Sequence, residues 1–424
     1  MKKNIFIGFT EIAGWGVGMR EGFRRCGRSA DFYCSIKHPF ANDKNINFIS
    51  RFLQWYYDVI VLRLNNNFLR RLFQLILELV KIPFLIYCLF KYETFYFISH
   101  RTILYKMLDL PVLKFFNKTI IILECGSEIR PPYISGNLIM QHSLDDLVKY
   151  TNKQKKKAVF IEKYVDYIVS IPSMALFHQK KCLLLYYLGM THYFEDYASK
   201  NVMEKKNSVT ILHAPSNSSI KGTSCIRQLI KELKQEGFDI EYIEVQGCPH
   251  SDVIDMIHKC DFIVDQMYSD TPMAGFAFEA AYYGKPAVVG GEYACYVNYD
   301  VPEDILPPSE FVVPGQVKMA IRKLICDKEY RLELGKRAYN YAHTKWGLEH
   351  SSKNFLKLAD GDVPDKWWFY PGDTRFVFGG FMEDEKIKSV IRTIIKEYGV
   401  EKLCVNDKPD IVSEYMKLVK GLGE

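Results

Sequence analysis

Residues 261–289 read D-F-I-V-D-Q-M-Y-S-D-T-P-M-A-G-F-A-F-E-A-A-Y-Y-G-K-P-A-V-V. The apolar run Phe262, Ile263, Val264 is a buried strand. It opens into a loop that reaches Gly275, and a short helix follows from Phe276 with Glu279 in its first turns. Gly284-Lys285-Pro286 stops that helix, and a second apolar strand begins at Ala287, Val288 and Val289. A helix that starts beside a glycine offers unpaired backbone N–H groups to an anion. A carboxylate one turn further in is placed to accept hydrogen bonds from sugar hydroxyls.

The same alternation extends on both sides of this stretch. Downstream of residue 207, strands are expected at 208–213 and 240–245 and helices at 224–235 and 251–259. Terminal helices are expected at 318–334 and 336–345. In the first half, strands are expected at 4–9, 59–62, 95–98, 119–123 and 167–170, with helices at 18–26 and 158–165. Strands alternating with helices predict parallel sheets covered on both faces. The polar segment 196–207 (D-Y-A-S-K-N-V-M-E-K-K-N) is the linker candidate. The expected organisation is a doubly wound, Rossmann-like unit over 1–190, a second over 208–350, and an extension over 351–424. Trp367-Trp368 reads as a packing anchor for that extension, with helices at 385–398 and 410–421.

A chain of 424 residues exceeds one ordinary core, in line with two units. Hydrophobic residues at 48% and charged residues at 25% are those of a globular protein. The net charge of +6 suits phosphate-bearing ligands, but no Arg-rich run or zinc spacing points to nucleic acid. Eleven scattered cysteines without a C-x-x-C pair argue for reduced thiols and a cytoplasmic location. Met1-Lys2-Lys3 runs straight into an apolar strand, without the longer apolar core and cleavage site of a signal peptide.

Residues 68–90 (F-L-R-R-L-F-Q-L-I-L-E-L-V-K-I-P-F-L-I-Y-C-L-F) are strongly apolar, interrupted by Glu78, Lys81 and Pro83. A buried helix of the first unit is the favoured expectation. The alternative is an interfacial patch with Arg70, Arg71, Lys81 and Lys91 facing anionic lipid. A full membrane span, which wants about 20 apolar residues with few charges, ranks third.

Two loops have a phosphate-facing layout. In Phe9-Thr10-Glu11-Ile12-Ala13-Gly14-Trp15-Gly16-Val17-Gly18, glycines at 14 and 16 between strand and helix let backbone approach an anion. A plain tight turn explains that loop about as well, because the spacing is not G-x-G-x-x-G. In His213-Ala214-Pro215-Ser216-Asn217-Ser218-Ser219-Ile220-Lys221-Gly222-Thr223, Lys221 offers a point charge to a diphosphate. It is not a Walker loop. Alone, Lys221 reads as a solvated helix-start lysine. Beside the Gly275–Glu279 segment in the same βαβ series, the phosphate reading is preferred. His250 and His258 have no third ligand, so no metal is expected. No G-x-S-x-G elbow is present.

Taken together, H-A-P-S-x-x-x-I-K-G-T, the segment 245–250, V-D-Q at 264–266, G-F-A-F-E-A and G-K-P at 284–286 resemble, in order and spacing, the retaining family-4 glycosyltransferases with the GT-B fold. The likeness is to bacterial members that assemble surface polysaccharides. Leu123-Glu124-Cys125-Gly126-Ser127-Glu128-Ile129-Arg130 is similar to the H-G-S-D-I-R segment of that family. The resemblance covers most of 110–290 and fades in the tail. It implies an α/β GT-B fold and transfer of a sugar from a nucleotide-sugar donor to a hydroxyl of a glycan or lipid-linked glycan, without metal or other cofactor. The implied setting is polysaccharide or lipopolysaccharide synthesis at the inner face of the plasma membrane. Lys221 and Glu279 would bind diphosphate and ribose, with Asp270 a third catalytic group. Gly275 and Phe276 would face the diphosphate and donor sugar, and Val245 and Gly247 would flank the base. Ser216, together with Gly14 and Gly16 of the loop after the first strand, completes the expected donor-binding residues. Glu124, Ser127, Glu128 and Arg130 would stand on the acceptor side.

Three positions depart from the family pattern. The first glutamate of E-x7-E falls at Thr271, leaving Asp270 as the neighbouring acid. The arginine that accompanies the phosphate lysine is missing, its region holding Ser216 and Ser218. Cys125 stands at the family's histidine. These departures motivate the rival expectation of a nucleotide-sugar-binding protein without transfer. An epimerase or phosphotransferase on the same scaffold is a second rival, and a nicotinamide oxidoreductase ranks last.

Overall fold

The computed structural model describes residues 4–35, 47–126, 128–194 and 208–420. The described residues form twelve strands in two sheets. The first six are β1 (Ile5–Gly8), β2 (Ala30–Phe32), β3 (Thr94–Ile98), β4 (Thr119–Leu123), β5 (Tyr167–Ser170) and β6 (Cys182–Leu184). The next five are β7 (Val209–His213), β8 (Ile240–Glu244), β9 (Phe262–Val264), β10 (Ala287–Gly290) and β11 (Glu310–Val312), and the tail adds β12 (Trp368–Phe369). The sheet orders are β12-β6-β5-β4-β3-β1-β2 and β11-β10-β9-β7-β8. Every pairing is parallel except that of β12 with β6. Two doubly wound α/β sheets are the plan expected from the sequence.

The strands form where the sequence is apolar without alternation. β3 (T-F-Y-F-I) and β4 (T-I-I-I-L) are buried along almost their whole length, because helices cover both faces of the sheet. Each sheet has a switch point where the chain order reverses, between β1 and β3 in the first and between β7 and β9 in the second. Crevices for ligands open at such points, beyond the carboxyl ends of the strands. The carboxyl ends of the two sheets meet, since Ser173, just after β5, donates to the carboxylate of Asp270, beyond β9, at 3.3 Å.

Three expectations are corrected. Residues 59–62 are not a strand: they lie in and just after a π-helical turn, Tyr56–Val61, that continues α2 (Phe48–Trp55). A four-residue apolar run carries no period that separates the two. The helix expected over 318–334 breaks into Val317–Cys326 and Lys328–His343, because Asp327 leaves the helical conformation and its side chain caps Tyr330 N–H. The apolar segment 68–90 does fold as a helix, α3 (Asn67–Lys91), but it is not a buried one. Only Leu77, Lys81, Leu85 and Cys88 are buried, with Phe73, Phe84 and Leu89 partly buried against the core. The linker candidate 196–207 lies outside the described residues.

The tail is built into the first unit. Helix Leu348–Asp360 packs on α1 (Trp15–Arg25), and the Arg28 guanidinium clasps Asp360 at 2.9 Å. Trp367 stacks on Tyr187 while Trp368 pairs with Leu183 in the sheet. Helices Asp384–Tyr398 and Pro409–Lys420 add Ile387, Ile391 and Tyr415 to the core that holds Phe95 and Ile120.

Candidate functional site

The switch point of the second sheet is organised by His213, the last residue of β7. One ring nitrogen bonds to Val264 O at 2.8 Å and the other to the Thr223 hydroxyl at 2.9 Å, tying β7, β9 and the following helix together. Lys221 ends the one-turn helix Ser218–Lys221. Its ammonium lies 3.1 Å from the buried carboxylate of Asp265, at the end of β9. Lys221 is therefore held, not solvated. An ammonium carries three donors, so the pair leaves capacity for a phosphate oxygen. Asn217, not Ser216, caps the short helix, and Ser216 is exposed beside it.

Helix Gly275–Tyr282 follows β9. Its first internal bond is Phe278 N–H to Ala274 O, and Ala274 supplies no side-chain cap. The N–H groups of Gly275, Phe276 and Ala277 thus lie ahead of the helical ladder. A Cβ added at Gly275 would meet nothing within 4 Å, so the space in front of this helix end is open. One turn in, Glu279 bonds His250 Nε2 at 2.8 Å. That bond holds the His250 pKa above its ordinary value. It also brings Glu279 to the loop of Val245 and Gly247, because His250 opens helix His250–Lys259 just after it. Val245 is half-buried, with its N–H on His213 O at 3.0 Å, and Gly247 is exposed. In the sequence His250 reads only as a metal ligand without partners; its place at a helix start just after the 245–247 loop is the signal for its contact with Glu279.

The loop after β1 has the same layout and a different content. The Glu11 carboxylate accepts Gly16 N–H and Val17 N–H, each at 3.1 Å, and is itself buried. Burial pushes its pKa up against the pull of those amides. The expectation that Gly14 and Gly16 cradle a phosphate is therefore corrected: an internal carboxylate occupies this helix end. Gly14 forms the left-handed cap, and Gly16 faces the Phe32 ring. At Gly18 a Cβ would lie 1.4 Å from Thr191 O, so only glycine lets α1 approach that backbone.

Of the expected acceptor-side residues, Glu124 and Arg130 are enclosed within the protein. Glu124 is enclosed between His178 Nε2 at 2.8 Å and His100 Nε2 at 3.1 Å, and His178 Nδ1 meets Glu162 at 3.0 Å. Burial works against charge on His178, yet the two carboxylates outweigh it and push its pKa up to about 9. Burial alone would raise the Glu124 pKa; its histidine neighbours hold it well below the usual carboxylate range. Arg130, fully enclosed, forms an ion pair with Asp270, which also accepts from Ser173. Loss of water pushes the Arg130 pKa down to about 10. Its guanidinium lies 4.9 Å from the Phe381 ring centre. Asp270, expected as a catalytic group, and Arg130, expected on the acceptor side, thus form an ion pair across the two units. Neither side chain is open to solvent. Glu128 accepts Gly126 N–H at 2.7 Å. Ser127 lies outside the described residues.

No protein-family model and no curated protein matches the chain. Solved structures share its course. WaaG, a glycosyltransferase involved in lipopolysaccharide biosynthesis, superposes with a TM-score of 0.48 at 11% identity, over 82% of this chain and 98% of that one. Anabaena HepE in complex with UDP-glucose does so with 0.47 at 11% identity, over 85% and 100%. S. aureus MnaA with UDP gives 0.43 at 13% identity, over 86% and 98%. At such identities the likeness is one of fold alone.

Proposed function

We propose that this protein is a glycosyltransferase that moves a sugar from a nucleotide-sugar donor to a hydroxyl of a glycan or lipid-linked glycan. The reading includes retention of anomeric configuration, no divalent metal, and a role in cell-surface polysaccharide or lipopolysaccharide synthesis on the cytoplasmic side of the membrane. One observation carries it: the open amide end of helix Gly275–Tyr282, with Glu279 one turn in, follows the same β9 loop whose Asp265 holds Lys221. In this reading Lys221 and the N–H groups of Gly275 and Phe276 stabilise the departing diphosphate. Glu279, oriented by His250, takes the ribose hydroxyls.

The test is thermal stabilisation by a panel of nucleoside diphosphates and nucleotide sugars, with Glu279→Ala and Lys221→Ala compared with their own ligand-free baselines. A ligand at 100 times its dissociation constant adds about 2.7 kcal/mol. We expect stabilisation by one base series and its loss in both variants. Failure of every nucleotide to stabilise the chain would overturn the reading. A second reading, binding without transfer, is favoured by the Arg130–Asp270 pair, which occupies the acid nearest the missing first glutamate. Release of nucleoside diphosphate from a bound donor in the presence of acceptor separates the two.

A further inference from the structure

We propose that α3 seats this protein in the acyl layer of a phospholipid bilayer, lying along the membrane surface with its outward face inserted. The helix is inverted relative to a surface helix of a soluble domain, whose apolar stripe faces the core. Here the apolar residues look outward: Phe68 is 74% exposed, Leu75 and Leu79 each 63%, and Phe90 86%. Leu72 and Ile86 fill the same face. The charged residues look inward or sideways. Lys81 is buried against Glu78 at 2.6 Å, and Glu78 also accepts Tyr105 N–H. Lys91 pairs with Asp31 at 2.8 Å. Soluble monomers do not ordinarily leave an apolar face of this extent in water.

The helix lies on the membrane rather than crossing it. At 25 residues it is about 37 Å long, enough to span. However, its inner face is part of the core, with Leu77, Leu85 and Cys88 buried and Phe84 against Tyr33 at 4.9 Å. Its end feeds directly into β3, so a crossing would remove a central strand's neighbour. The charge around the face selects a lipid surface. Arg51, Arg63 and Arg71 are exposed along residues 47–92, against one exposed acid, Asp58. These three exposed arginines, on α2, in the turn that follows it and in the first turns of α3, suit phosphate headgroups, and the uncharged face of α3 suits hydrocarbon. The α2 residues Phe48 and Trp55 are also exposed. Because Lys81 and Lys91 are committed to internal pairs, insertion and not headgroup charge drives binding. Anionic lipid is therefore an aid and not a requirement, unlike the basic-patch alternative drawn from the sequence.

The experiment is flotation of the full chain with vesicles of phosphatidylcholine alone and of phosphatidylcholine with phosphatidylglycerol. Binding is expected to both. The triple variant Leu75→Gln, Leu79→Gln, Ile86→Gln is expected to lower partitioning roughly 100-fold on both. Arg51→Gln, Arg63→Gln, Arg71→Gln is expected to lower it more on the anionic vesicles than on the neutral ones. A wild-type chain that binds neither vesicle, or an apolar triple that binds unchanged, overturns the proposal. So does a dimer in sedimentation that the apolar triple dissolves, which would assign the face to a second copy. The proposal does not rest on the donor site. A folded apolar triple that keeps its circular dichroism and nucleotide response separates the two.

Discussion

The carboxyl ends of the two sheets carry similar side chains and use them for opposite ends. In the first unit Glu11 closes the amide end of α1, Glu124 is enclosed by two histidines, and Arg130 is ion-paired with Asp270. In the second, the position of a Cβ at Gly275, ahead of the helical ladder, is open space, and Lys221 and Glu279 remain partly accessible. Both units have a strand, a glycine-bearing loop and a helix. One acid at position 11 decides that the first such turn binds itself. Charged residues at a cleft edge are thus evidence for a ligand only where they are not already satisfied by one another.

If that contrast is right, changes on the first edge cost stability and changes on the second cost little without ligand. The largest effect is expected for Arg130→Ala, which leaves Asp270 buried and unpaired, at about 3–5 kcal/mol by urea denaturation. An effect within about 0.5 kcal/mol would place Arg130 among the ligand groups instead. The next concerns pH. His178 has a folded pKa of about 9, above the unfolded 6.5. Its contribution is fully present below pH 6.5 and is lost as pH rises through 9, on the order of 3 kcal/mol. His178→Gln should flatten that part of the stability profile; a parallel profile would remove the network from the comparison. The smallest contrast uses two glycines. Gly18→Ala collides with Thr191 and is expected to cost about 1–3 kcal/mol. Gly275→Ala meets nothing and should stay within about 0.5 kcal/mol. Equal melting temperatures for the pair would contradict the open helix end.

Much of the architecture was legible because parallel strands buried on both faces read as unbroken apolar runs, as in β3, β4 and β9. The placement of Lys221, Gly275 and Glu279 was legible for a related reason: they follow strands of the second sheet, in or just after strand-to-helix turns. What was hidden depends on contacts between distant segments. Composition marks α3 as apolar but does not say which side faces the sheet. Nothing near Asp270 announces Arg130, and nothing near Glu124 announces His178, because these pairs form only when different strands deliver their ends to one place. Glu11 lay in plain view beside Gly14 and Gly16, but glycines draw attention to an absent ligand and away from a local acid.

The edge strand β12 has a consequence for how the chain is made. Residues 368–369 complete the first sheet, and Ile387, Ile391 and Tyr415 complete one of its cores. While a ribosome still holds those residues, the nascent first half has an uncovered β6 edge and a core with gaps, although all its own strands have emerged. The first unit to be synthesised is therefore the last to be finished, and it waits on long-range closure.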